Sequence, residues 1–294
     1  MKYVCLLGAL VLGALLPVAL AFEQETQPEL SGESAIAAGE RKSDPKALPK
    51  SPANISAPAR PAKPRLLAIF AHPDDDTTCS GTLARAAAAG WDVSLIHATS
   101  GGGGRDVSGR SLQGAALAAE REKEAVESLK ALGIVTPPLF LRLNSGALRQ
   151  NETQVVARLA DEIRRLTPDV ILTFGSDGFT GHPTHIAIGK ATDKASREAA
   201  PKAALYHVAL GQRLPGWAKA ADAPIPDGVT LPANLVTVQV GEYQSKRLEA
   251  LKSYRTQWTP EVLGRLMEFH KAYLFEEFIW AGGANGADGK WVGP

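Results

Sequence analysis

A chain of 294 residues, 45% hydrophobic and 21% charged with a formal net charge of +1, is sized for one large α/β domain or two small ones. Near-neutral charge, with no basic stripe and no acidic tail, argues against a nucleic-acid partner and against a long solvating segment. With two cysteines, Cys5 and Cys79, a disulfide framework is excluded as the main source of stability.

The chain opens on a leader pattern. Lys2 precedes an almost unbroken apolar run from Val4 to Leu16, and Pro17 breaks it ahead of Ala19-Leu20-Ala21, a small-x-small cleavage signature. This predicts a signal peptide over residues 1–21 and an exported protein, periplasmic or extracellular. An uncleaved membrane anchor is the alternative. Residues 22–64 are dominated by Ala, Pro, Ser, Glu and Lys and cannot bury enough apolar surface to order, so a flexible tether is expected. The folded domain is expected over residues 65–280, followed by a Gly-rich tail, 281–294. Cys79 is expected to be a small buried residue rather than a nucleophile, because neighbouring carboxylates raise a thiol pKa.

From Arg65 onward strand and helix patterns alternate. Strand-like runs are Leu66–Ala71, Val93–Ala98, Leu139–Leu143, Val170–Phe174 and Leu205–Leu210. Helix-like runs are Gly81–Ala89, Gln113–Leu132, Glu152–Leu166 and His185–Ala199, with Gly133 and Pro168 as stop signals. Such βαβ alternation predicts a Rossmann-like, mostly parallel sheet with helices on both faces. Ligands of these sheets sit beyond the carboxyl ends of the strands where strand order reverses. The first and fourth strands are usually neighbours there, which places the active site at their carboxyl ends.

Those two strands are the ones followed by chemistry. The first leads into Ala71-His72-Pro73-Asp74-Asp75-Asp76, one imidazole and three carboxylates at the edge of an apolar sheet. That density of negative charge is most readily tolerated beside a cation. The fourth leads into Gly181-His182-Pro183-Thr184-His185. Two histidines and a carboxylate drawn from two strand ends form a three-ligand set with an open position, the arrangement of catalytic zinc, and the chain reads as a metal-dependent hydrolase.

At these residues the chain resembles the LmbE-like (PIG-L) zinc deacetylases, which remove acetyl groups from N-acetylglucosaminyl substrates. The resemblance runs from about Leu66 to Gln257 and includes Leu117-Ala118-x-x-Arg121-x-x-Glu124 and Lys246…Tyr254-x-x-Gln257. It implies Zn2+ bound by His72, Asp75 and His185, with Asp74 as general base. It further implies His182 as the electrophilic or general-acid histidine and Arg121 as a substrate-contacting cation. Amide hydrolysis needs a nucleophilic water, a Lewis acid and a proton for the leaving amine, and this residue set can supply all three.

The chain departs from the family pattern at four positions. Asp76 stands where the family often has Glu, Thr184 where it usually has Asp, Ser145 at a sugar-binding Asp and Tyr254 at a C-terminal His. The metal set is complete while the sugar-recognition set is altered. The expected activity is therefore removal of an N-acetyl group from an N-acetylglucosamine-type amino sugar or glycoconjugate. A zinc amidase for another acylated amine and a non-catalytic carbohydrate-binding relative are the alternatives. His97, His207 and His270 are expected to be structural. Gly101–Gly104 leads into Arg105-Asp106 rather than straight into a helix, so it reads as a mobile loop over the site and not as a nucleotide fingerprint.

Overall fold

Each of the five apolar runs forms a strand: β1 (Arg65–Phe70), β2 (Asp92–His97), β3 (Leu139–Phe140), β4 (Val170–Phe174) and β5 (Ala204–Ala209). The computed structural model describes residues 63–209, 232–285 and 291–294. The expected signal peptide and nearly all of the expected tether lie outside the described residues. Strands β1, β2, β3, β4 and β5 pair in parallel, and β1 and β4 are buried along almost their whole length, as a sheet covered on both faces requires. β3 is shorter than the apolar run that predicts it. Arg142 adopts a left-handed φ of 54°, which ends regular pairing, although Leu141 and Leu143 still donate backbone hydrogen bonds to His97 and Ala98.

Two further strands, β6 (Leu235–Gln239) and β7 (Phe275–Gly282), complete a seven-stranded sheet of order β3-β2-β1-β4-β5-β7-β6. β7 is antiparallel to both β5 and β6, so the sheet is mostly, not wholly, parallel. The strand is inconspicuous in sequence because Glu276 and Glu277 sit in its buried half. It runs on to Gly282, and Trp291 stacks on Phe278 and meets Tyr206 at a tilt of 49°. The segment expected to be a tail from residue 281 therefore carries part of the packed structure.

The helices are α1 (Ser80–Ala88), α2 (Gly114–Leu132), α3 (Ser145–Gln150), α4 (Glu152–Leu166), α5 (Pro183–Ala199), α6 (Gln244–Ser253) and α7 (Pro260–Ala272). They pack in two groups, α4 with α5 and α1 with α2 and α6. With right-handed crossovers the connections through α1 and α2 run one way along the sheet from β1, and those through α4 and α5 run the other way. The groups therefore cover opposite faces, and strand order reverses between β1 and β4. Leu66, Leu67 and Ala68 pair there with Val170, Ile171 and Leu172. Among the described residues no helix is long and apolar enough to cross a membrane.

α2 departs from a simple amphipathic pattern. Its buried stripe contains Leu117, Leu129 and Leu132 but also Arg121, Glu124 and Ser128. Ser128 and Arg121 find partners in the loops beyond β1 and β2, and Glu124 accepts the backbone N–H and hydroxyl of Thr256 beyond α6.

Candidate metal centre and active site

Beyond Phe70 the chain makes a tight turn in which Asp74 takes φ 104°, ψ −24°, a left-handed conformation that strains a non-glycine residue by about 1–3 kcal/mol. The Asp74 carbonyl is held by the Thr77 amide at 3.0 Å and the Thr77 hydroxyl at 2.7 Å. The Pro73 carbonyl is held by the Gln257 side-chain amide. This turn presents three consecutive carboxylates in three different environments.

Asp75 is buried, and its Oδ2 accepts the backbone N–H groups of Ala71 at 3.0 Å and His72 at 2.8 Å. Its Oδ1 lies 3.2 Å from His185 Nε2. Burial pushes the Asp75 carboxyl upward, but the His185 and His72 imidazoles and the backbone donor outweigh it and keep the group ionised. Asp74 goes the other way: burial and the adjacent Asp75 charge raise it well above the usual carboxylate range, with Arg121 opposing. Asp76 turns away from this cluster. Its carboxylate accepts the Tyr254 hydroxyl and, at 3.1 Å, the Ser128 hydroxyl, and burial raises its pKa.

Two of the imidazoles, His182 and His185, come from beyond the end of β4. Gly178 and Gly181 take φ values of 63° and 85° around a single helical turn, Gly178–Gly181, which ends at His182, the N-cap of α5. Pro183 occupies the first turn of α5, where its missing N–H costs nothing. His185, one turn along, stacks on Phe174 at 4.3 Å and 8°. His185 Nδ1 lies 3.2 Å from the Gly178 carbonyl, which can only accept. Nδ1 therefore carries the hydrogen, and Nε2 presents a lone pair to the site.

His72 Nδ1 lies 3.2 Å from that His185 Nε2 and 3.6 Å from the Asp75 carboxylate. The His182 ring sits 4.7 Å from His185 and 5.1 Å from His72, and a nitrogen from each of the three rings lies within 4.8 Å of the others. Burial pushes His72 down to about 3 and His182 down to about 4, so both rings are neutral at pH 7. Neutral imidazole nitrogens and an ionised carboxylate at these separations are a donor set that fits a divalent cation such as zinc.

Of the sequence-predicted residues, His72, Asp75, His182 and His185 are brought together, with Asp74 beside them at the same turn. Arg121 is placed one layer below. Its guanidinium donates to the carbonyls of Gly101 at 2.5 Å and Arg105 at 3.1 Å, and its Nε lies 3.4 Å from the Thr256 hydroxyl. A Cβ at Gly104 would lie 2.5 Å from Arg121 Nη1. The glycine run makes room for the guanidinium, and the loop expected to be mobile is braced by it instead.

His97 is fully buried and stacks on Phe140 at 5.5 Å, His207 pairs with Asp193 at 2.7 Å, and His270 is buried in α7, all three as expected of structural residues. Cys79 is a buried free thiol pushed up by burial. Residues whose site contacts sequence reasoning missed are the Gly178 carbonyl, the Ser128 hydroxyl and Thr184, whose hydroxyl lies between His72 and His182. Position 184 was marked only by its difference from the family pattern.

A doubly wound sheet with an imidazole–carboxylate cluster at its topological switch point defines an α/β protein with a candidate metal site where such sheets bind ligands. Comparison with known proteins narrows this further. The PIG-L family, described as GlcNAc-PI de-N-acetylase, matches residues 67–196. A 1D-myo-inositol 2-acetamido-2-deoxy-alpha-D-glucopyranoside deacetylase of Mycolicibacterium gilvum is 31% identical over 246 residues, covering 69% of this chain and 84% of that protein. The protein of the same name from Nakamurella multipartita is 36% identical over 154 residues, 42% of this chain, and the match spans about half of that protein (52%). The N,N'-diacetylchitobiose deacetylase from Pyrococcus horikoshii shares the fold with a TM-score of 0.55 at 20% identity, over 74% of this chain and 84% of that one. The chain belongs to the PIG-L (LmbE-like) family.

Proposed function

We propose that this protein is a zinc-dependent hydrolase that removes the N-acetyl group from an N-acetylglucosamine-type amino sugar or glycoconjugate. The convergence of His72, Asp75 and His185, with separations of 3.2–3.6 Å, carries the reading, because two imidazoles and a carboxylate at that spacing form a three-ligand set for zinc. Amino-sugar deacetylation as the activity of the matched relatives points the same way.

His72, Asp75 and His185 would hold the zinc, which when bound supplies Lewis acidity toward the acyl carbonyl and acidifies water. Asp74, raised by burial and by Asp75, takes the proton from the attacking water as its oxygen bonds to the acyl carbon. His182 donates a hydrogen bond to the oxyanion that develops on the former carbonyl oxygen. The C–N bond then breaks, the proton held by Asp74 passes to the leaving amine, and acetate and the free amino sugar are released. Arg121 keeps the loop after β2 in place and opposes the upward shift of Asp74. The export pattern adds an envelope or extracellular glycan as the source of substrate, which N-terminal sequencing of protein from the native host tests.

Acetate release from a panel of N-acetyl sugars by zinc-loaded protein tests the activity. Asp74→Asn should keep zinc and fold and lose about 10²–10⁴-fold in kcat. Zinc-loaded protein that releases no acetate from any member, or an Asp74→Asn variant with the wild-type rate, overturns the reading.

A further inference from the structure

We propose that Thr184 is a positioning residue whose single hydroxyl hydrogen links His72 to His182 and makes His182 present an N–H, at Nε2, to the reacting group. The inference rests on the reading of His72 as a metal ligand and adds a residue to it.

The polarity of the linkage follows from hydrogens that cannot move. His182 is the N-cap of α5, and its Nδ1 lies 3.3 Å from the Thr184 backbone N–H, which can only donate. Nδ1 of His182 is therefore an acceptor and bears no hydrogen. The Thr184 hydroxyl lies 2.7 Å from the same nitrogen. Facing an acceptor, the hydroxyl donates to it. A hydroxyl has one hydrogen, so Oγ1 meets its other neighbour, His72 Nε2 at 3.0 Å, as an acceptor. His72 Nε2 consequently carries the hydrogen of that ring, and His72 Nδ1 turns a lone pair toward His185 and Asp75. At the other end, the remaining nitrogen of His182, Nε2, must bear the hydrogen of a neutral ring.

Thr184 is 2% exposed, so water does not compete for these contacts. The backbone N–H and the hydroxyl of Thr184 thus determine two tautomers: the acceptor form of a metal-facing imidazole and the donor form of the imidazole beside it. A carboxylate at this position would only accept, and would instead draw a hydrogen onto His182 Nδ1. Threonine and the backbone N–H together make His182 a hydrogen-bond donor of fixed tautomer.

Long-range ¹H–¹⁵N correlation spectra of ¹⁵N-histidine-labelled protein read this directly, without substrate. In the zinc-loaded wild type His182 should be protonated at Nε2 only and His72 at Nε2 only; a hydrogen on His182 Nδ1 overturns the proposal whatever the variants do. Thr184→Val keeps the shape and removes the hydroxyl. It should weaken zinc about 10-fold or more, measured by chelator competition, in line with the loss of a ligand-orienting partner. It should also broaden His72 into a mixture of tautomers and lower kcat more than it changes KM. Thr184→Ser should restore the zinc affinity and the spectrum. Zinc affinity within twofold of wild type in Thr184→Val, or a Ser variant no better than Val, counts against the proposal. If the spectra and zinc affinities agree but no acetate is released from any N-acetyl sugar, the deacetylase reading fails and the role of Thr184 stands.

Discussion

Two buried polar clusters in this molecule look alike in composition and differ in completeness. One lies beyond β1 and β4 and contains His72, Asp75 and His185. The other lies beneath α1 and contains Arg247 and Glu276, which are 2% and 6% exposed. The second closes on itself. Glu276 accepts the backbone N–H groups of Gly81 and Thr82, each at 2.8 Å, and the Thr82 hydroxyl at 2.6 Å, so a carboxylate from β7 caps the start of α1. Arg247 stands 3.4 Å from Glu276 and donates to the carbonyls of Tyr273 at 2.7 Å and His270 at 3.3 Å. Each charge meets its counter-charge within the fold, although Arg247 Nε makes no hydrogen bond among the described residues. The first cluster turns imidazole nitrogens and a carboxylate toward one another, and on the proposed reading a bound zinc would complete it. Burial of charge does not by itself mark a functional site; an unbalanced set of buried acceptors does.

The sharpest way to break that comparison is to remove the carboxylate from each cluster in turn. Asp75→Asn should abolish stoichiometric zinc binding and, with it, activity, since an amide oxygen is a far weaker ligand than a carboxylate. In chelator the same variant should lose at most about 1 kcal/mol, because an amide oxygen can still accept the Ala71 and His72 amides. Wild type should gain about 2.7 kcal/mol from zinc at a hundredfold excess over its Kd, and Asp75→Asn should gain none. Denaturant titrations with and without zinc measure both effects. A metal-free Asp75→Asn protein destabilised by several kcal/mol would place Asp75 among the structural charges.

Glu276→Ala should show the reverse pattern. It leaves Arg247 buried without its counter-ion and strips the cap from α1, so a loss of about 3–5 kcal/mol is expected, with zinc content per folded molecule unchanged. Equilibrium unfolding and metal analysis of the soluble fraction decide it. If stability is unaltered, the Arg247–Glu276 cluster is not the self-sufficient counterpart described.

The contrast also explains what could be read in the sequence. β1 and β4 are apolar runs ending in clustered imidazole and carboxylate, and topology alone brings such ends together, so the parallel core and the residues His72, Asp75, His182 and His185 were legible. β7 was not, because Glu276 and Glu277 sit in a strand where a pattern reading expects apolar residues, and the long-range cap that makes Glu276 tolerable is invisible until the fold exists. Arg121 enters the reading only through the family resemblance, which implies a substrate-contacting cation. Its partners, the Gly101 and Arg105 carbonyls, are set by a loop conformation that no local pattern encodes. Thr184 stood out only as a missing carboxylate, since the bridging geometry of its hydroxyl depends on α5 starting at His182.

The smallest expected effect tests the closed cluster from its rim. His270 is buried in α7 with Nδ1 lacking a hydrogen-bond partner among the described residues, and burial together with the Arg247 charge pushes its pKa down to about 3. An unfolded histidine titrates near 6.5, so between these values the unfolded chain binds a proton that the folded protein refuses. The stability contributed by keeping His270 neutral is therefore complete above about pH 6.5 and is lost as pH falls toward 3, at up to about 1.4 kcal/mol per pH unit. His72 and His182 carry shifts of the same sign, so the wild-type slope alone cannot identify the group. The difference between wild type and His270→Leu can, because the other contributions cancel. The variant should lose less stability than wild type on going from pH 6 to pH 5, by about 1 kcal/mol, with stability at pH 7.5 altered only by the change in packing. Identical slopes would mean that His270 accepts a proton in the folded state beside Arg247, and the cluster would then be more open to solvent than its burial indicates.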